Sequence, residues 1–196
     1  MYRGMLAYLA MRTRRSEAEL LEGITEPELR RFLRQPFLVS GWYDVLPFTE
    51  LAAVGASAIG TTIAQLASDH SRHQAKEDIT GVYRLLMRFT PMDVVVSALP
   101  RFAQKYFDFG AYTSERIAER HFRILRSGIP ESFALYHSIA GAMYSHTACE
   151  TSSAYRIQHT IGELENDGLA HGVRLKRFQI ELRWEDREQS RRADGT

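Results

Sequence analysis

The stretch IAERHFRILRSGIP, residues 117–130, decides the fold. Phe122 and Ile124 alternate with charged neighbours, the period of two that marks a strand with one covered face, and Pro130 then opens a helix running to about Cys149. Beyond it the alternation returns. In 154–161, Tyr155, Ile157 and Ile161 oppose Arg156, Gln158 and Thr160; in 173–184, Phe178, Ile180, Leu182 and Trp184 oppose Arg177, Gln179, Glu181 and Arg183. Residues 117–184 therefore read as strand, helix, strand, strand, with Asn166, Asp167 and Gly168 as the turn between the last two strands. Val173 and Leu175 fall on the opposite parity, which predicts a bulge or twist near Lys176. This half makes the chain α+β, where the first 110 residues alone would predict a helical bundle.

The amino-terminal half is helical by spacing and by cap chemistry. Tyr2 to Arg12 places Met5, Leu6 and Leu9 on one side. Ser16 and Glu19 form a capping box for a second helix ended by Gly23, and Thr25, Pro27 and Glu28 start a third. From Pro47, Phe48, Leu51, Ala52, Gly55, Ile59, Thr62, Ile63 and Leu66 recur at helical spacing; their small neighbours predict close approach of another helix, with room for a ligand as the alternative. The pattern continues from Gln74 to Phe89, restarts at Thr90, Pro91 and Asp93, bends at Pro100 and closes at Gly110. The expected architecture is an N-terminal helical layer on a small antiparallel sheet. It divides into a helical lead-in (1–40, with 35–40 bridging onward), an α+β ligand-binding-like domain (41–184) and a polar, disordered tail (185–196).

Composition narrows the function classes. The 196 residues are 44% hydrophobic and 11% aromatic, and 25 basic against 24 acidic residues give a net charge of +1. No strong field favours nucleic acid or anionic lipid. A basic cluster, Arg12, Arg14 and Arg15 with Arg30, Arg31 and Arg34, reads as a solvated face. A lone Cys149, with no charged-then-apolar leader, excludes an intrachain disulfide framework and makes a cytoplasmic location the expectation. Leu46 to Ala67 carries Glu50 and Gln65 and reads as a buried helix, not a membrane span.

Several positions together resemble a known family. Arg3, Gly4 and Met5, the long helix after a Tyr and Pro pair, Leu99 and Pro100 before an aromatic stretch ending in Gly110, then Ser127, Gly128, Ile129, Pro130, Tyr136, Gly141 and Trp184, resemble a myxobacterial paralogous family of uncharacterised proteins. Such proteins are more distantly similar to the fold of heme nitric-oxide/oxygen-binding sensors, vinyl-reductase-type ligand-binding domains and transport-particle subunits. The resemblance implies helices over an antiparallel sheet with room for a cavity between them; it implies no reaction. Tyr112, Ser114 and Arg116 also have the spacing of the sensors' Tyr-x-Ser-x-Arg clamp for heme propionates. Against it, no His lies between His73 and His121 to serve as proximal ligand, and the triplet precedes the first expected strand.

The remaining chemistry is sparse. His70 and His73 share a helix face without further ligands, and His146, Cys149 and Glu150 form half of a metal site or a His-activated thiol, with a buried structural Cys as the plainer reading. His121 and His159 are placed to pair across the sheet, and His137, beside Tyr136 on the helix, could line a cavity, with solvent or a backbone carbonyl as the leading expectation. No Gly-rich phosphate loop, HExxH pattern, nucleophile elbow or paired CxxC occurs. The leading expectation is a noncatalytic binding, sensor or scaffold protein that recognises a protein partner, a second copy or an apolar small molecule, with Trp42, Tyr43 and Phe48 as interface candidates. The alternatives are a heme or other cofactor sensor using Tyr112, Ser114 and Arg116, and an enzyme using His146 and Cys149.

Overall fold

Residues 1–38, 41–152 and 154–186 are described in a computed structural model of the chain. Alternation reveals a strand only when one face is covered, and two strands, both largely exposed, escape it for that reason. Ala111–Ala118 (β1) exposes most of its residues and buries Tyr112, and it pairs antiparallel with His121–Pro130 (β2) at the sheet edge. The expected single strand from 117 is therefore the second arm of a hairpin.

After β2, the chain runs through a helix, Glu131–Glu150, to Ala154–Ile161 (β3), Glu165–Ala170 (β4) and Val173–Asp186 (β5). The sheet order is β1-β2-β5-β3, with β4 also on β5, and every pairing is antiparallel. Asp167 and Gly168, expected in a turn, instead lie inside β4, where the two of them face Leu175 alone; the tight turn is His171–Gly172, both left-handed at φ 50° and 78°. The expected irregularity near Lys176 is real but sits in the partner strands. Ser127 and Gly128 of β2 bulge against Arg177, while β5 itself runs unbroken. Glu185 and Asp186 of the expected tail belong to β5; the rest of the tail, and Val39 and Ser40, lie outside the described residues.

Seven helices precede the sheet: Tyr2–Thr13 (α1), Glu17–Glu22 (α2), Pro27–Leu33 (α3), Leu46–Ala58 (α4), Ile63–Asp78 (α5), Gly81–Phe89 (α6) and Met92–Ala103 (α7); Glu131–Glu150 is α8. The Ser16–Glu19 capping box forms as expected, whereas α3 is capped by Glu26, whose carboxylate accepts from the Glu28 N–H. The apolar stripe from Pro47 to Leu66 is not one helix. Gly60 turns left-handed at φ 68°, and the Thr62 side chain accepts from the Gln65 N–H to cap a new helix, so α4 and α5 meet at 99°. The close approach predicted by the small residues is present: a Cβ on Gly55 would lie 2.7 Å from Leu9 Cδ1 of α1.

The core follows from α8, which buries side chains around most of its circumference. One flank packs on β3 and β5, the other on α5 and α4, and α7 packs against both β1 and α8. The α+β class with helices layered on an antiparallel sheet is thus observed. Among the described residues no single helix is long and apolar enough to cross a membrane.

Candidate functional site

Alternation along β2 sends Phe122, Ile124 and Arg126 to the same face, the one covered by α8. Arg126 is therefore an interior arginine, 7% exposed. Its Nη1 lies 3.1 Å from His137 Nε2, and the guanidinium carbon lies 5.4 Å and 6.0 Å from the ring centroids of Tyr112 and Phe178. The α8 backbone makes room for it at Gly141, where a Cβ would stand 2.7 Å from Arg126 Cζ.

His137, expected near solvent or on a carbonyl, is buried because α8 has no open face at that point. Arg126 only donates, so His137 Nε2 accepts; the same nitrogen lies 3.2 Å from the Tyr112 hydroxyl. Burial and the neighbouring guanidinium hold the His137 pKa well below the ordinary imidazole value, which keeps the ring neutral. Tyr112 is pushed up to about 12 by burial, against the pull of Arg126, and keeps its proton. Arg126 is lowered to about 10 by burial and stays charged at neutral pH. No carboxylate among the described residues stands within ion-pair distance of it, and its Nε is buried without a hydrogen-bond partner.

Arg126, His137 and Gly141 line a cavity of about 240 Å³ between α5, α7, α8 and the sheet, with Tyr112 and Phe178 behind the guanidinium. Phe107, Phe133, Leu99 and Ala140 form its apolar walls; Asp78, Phe102 and Tyr106, all exposed, form its mouth. Asp78 is engaged there by the Tyr144 hydroxyl at 3.1 Å and the Gln74 amide at 2.7 Å. Also lining the cavity, His70 Nδ1 lies 2.6 Å from the Tyr136 hydroxyl. His70 Nε2 is buried and makes no hydrogen bond of good geometry, although the Gly4 backbone lies close enough to raise the ring's pKa slightly against the effect of burial. Of the four buried, unpartnered side-chain polar atoms among the described residues, two line this cavity, where native interiors leave few.

The residues singled out by sequence are not brought to one place. Tyr112 reaches His137, a residue of the cavity wall, from β1, but Arg116 points to the surface and pairs with Asp93 of α7 at 3.2 Å; Ser114, between them, is half-buried. The triplet lies within the first strand, not before it. Phe48 is fully buried against Phe133 and Tyr136, Tyr43 packs on Phe37 and takes a hydrogen bond from the Leu38 N–H, and Trp42 is 59% exposed. His121 and His159 do not pair with each other: His121 meets Glu181 at 3.0 Å, and His159 meets His146 at 3.1 Å because their rings face across from α8. His146 is bonded to Glu150 and His159, and Cys149 is buried with its thiol pKa raised by burial, which favours the thiol over the reactive thiolate. Among the described residues no group of three His, Cys, Asp or Glu side chains is arranged to hold a metal.

No protein-family model matches the chain, and no curated protein matches it, so the myxobacterial resemblance rests on its sequence positions alone. Solved structures do match over nearly the whole length. An oxygen-binding H-NOX domain related to soluble guanylate cyclases, in its oxygen complex, is 8% identical with a TM-score of 0.61, over 93% of this chain and 92% of that one. A structure from a study of heme distortion in the H-NOX family is 9% identical with a TM-score of 0.62, over the same shares. A mutant of the T. tengcongensis H-NOX is 8% identical at 0.54, over 92% and 97%. At such identity the likeness is one of fold, and it matches the expected distant similarity to the heme nitric-oxide/oxygen-binding fold.

Proposed function

We propose that this chain is a noncatalytic ligand-binding domain of sensor or scaffold type, whose ligand occupies the cavity beside Arg126 and His70. The observation that carries the reading is the pair of buried polar atoms, Arg126 Nε and His70 Nε2, left without partners in two residues that line one cavity. Likeness to a fold described for oxygen- and heme-binding domains supports it. A cytoplasmic location is part of the reading, as is a protein partner or second copy on exposed apolar surface such as Trp42 or Leu85, Leu86 and Phe89 of α6. A monomer mass independent of concentration in light scattering removes the second copy.

Heme is the cofactor that the fold suggests, and the residues present do not fit it. An iron porphyrin needs an axial ligand. α7 contains no His, and His137 Nε2 is occupied beside a fixed cation that repels a metal ion. Arg116 lies outside the cavity, and about 240 Å³ falls below the roughly 300–1,000 Å³ of sites for drug-sized ligands. One feature favours heme, the free Nε2 of His70.

Two titrations test these readings. Fluorinated small aromatics, 4-fluorobenzoate and 4-fluorobenzamide, are expected to show saturable fluorine line broadening at 1:1, abolished by Ala140→Phe, which fills the cavity. Broadening by neither probe, or broadening indifferent to Ala140→Phe, contradicts the cavity reading. Hemin is expected to give no saturable Soret shift; a 1:1 shift lost in His70→Ala would establish the heme sensor instead.

A further inference from the structure

We infer that the cavity ligand is a small organic monocarboxylate with an apolar body, its carboxylate seated on the Arg126 guanidinium. This rests on the cavity reading above and adds the chemical class of the ligand. Arg126 is a buried cation whose contacts are all neutral: an imidazole nitrogen that only accepts, and the faces of Tyr112 and Phe178. The one acidic group beside it, the Tyr112 hydroxyl, keeps its proton at neutral pH because burial pushes it up to about 12. Folding thus places a permanent positive charge in the interior without supplying its counter-ion, an arrangement proteins rarely keep unless something else neutralises it. A planar guanidinium with five donors matches a carboxylate in a two-point geometry.

The remaining lining selects among anions. Arg126 is the only Lys or Arg there; the Met1 amino group also lines the cavity, but burial lowers its pKa and Asp78 is the charge that answers it, so one ligand charge is matched at the guanidinium and a second is not. Asp78 at the mouth adds a negative charge that opposes dianions such as phosphate monoesters. Phe107, Phe133 and Leu99 call for an apolar body. Gly141 shows that the guanidinium site is built into α8, since any side chain there would displace the charge.

The test uses the full chain with 4-fluorobenzoate, 4-fluorobenzamide and inorganic phosphate. The benzoate is expected to bind about tenfold to a hundredfold more tightly than the amide, the range of a buried hydrogen bond to a charged group, and phosphate is expected not to compete. Arg126→Met should bring benzoate down to the amide's affinity while leaving the amide unchanged. Should that variant fail to fold, Gly141→Ala, which pushes the guanidinium aside, should narrow the same ratio. Equal binding of benzoate and amide, or equal competition by phosphate, overturns the monocarboxylate assignment and leaves the cavity reading standing. Binding of neither aromatic overturns the cavity reading itself.

Discussion

Lowering the pH from 7 to 5 is expected to destabilise the fold by about 2 kcal/mol through His70 alone. Burial lowers its pKa from 6.5 to about 4, and the ring lines the same cavity as Arg126. Below pH 6.5 the unfolded chain binds a proton on this residue that the folded chain refuses down to about pH 4, so stability is full above 6.5 and is lost as pH falls between the two values. His137 and His159, also lowered, act with the same sign. Urea melts across this range should show a falling midpoint at constant slope, and His70→Gln should remove His70's share. A midpoint that stays level from pH 7 to 5 would show that these imidazoles are not desolvated in the folded chain.

Arg126→Met is expected to raise the stability of the ligand-free protein by about 1–4 kcal/mol, the gain seen when buried charges are replaced by apolar residues of similar volume. Met follows the same path between β2 and α8, removes an uncompensated cation, and frees His137 Nε2 to pair with the Tyr112 hydroxyl alone. The offsetting loss is cation–π contact with Tyr112 and Phe178. A residue that lowers stability where it stands is kept for what it binds. Should Arg126→Met instead lower the urea midpoint, the guanidinium is a structural member of the core, and the case for an external counter-ion weakens.

Much of this architecture is legible in the sequence, because caps and periods act locally. The Ser16–Glu19 box and the switch from helical to alternating spacing report directly on backbone geometry. β1 was hidden because a sheet-edge strand that buries mainly Tyr112 carries no alternation. The α4–α5 break was hidden because the apolar stripe continues across Gly60 while the chain turns. The site is harder to read, although it left one signal: Arg126 shares the parity of Phe122 and Ile124, so the argument that buries those two residues buries a charge with them. His137 left a cavity and a solvent reading both open, since α8 is covered nearly all round and spacing along it distinguishes no solvent face. The Tyr112, Ser114 and Arg116 spacing placed Tyr112 on the sheet face that meets the cavity, but three residues along one strand span too far for Arg116 to follow it inside.

A crystal of the chain grown with 4-bromobenzoate would show whether the cavity takes a monocarboxylate on Arg126, because anomalous scattering locates the bromine without interpretation. A bromine peak is expected within the cavity walled by Phe107 and Phe133, with the carboxylate in hydrogen-bonding contact with Arg126. A soak at saturating concentration that leaves this cavity empty, or places the carboxylate away from Arg126, would contradict the monocarboxylate assignment.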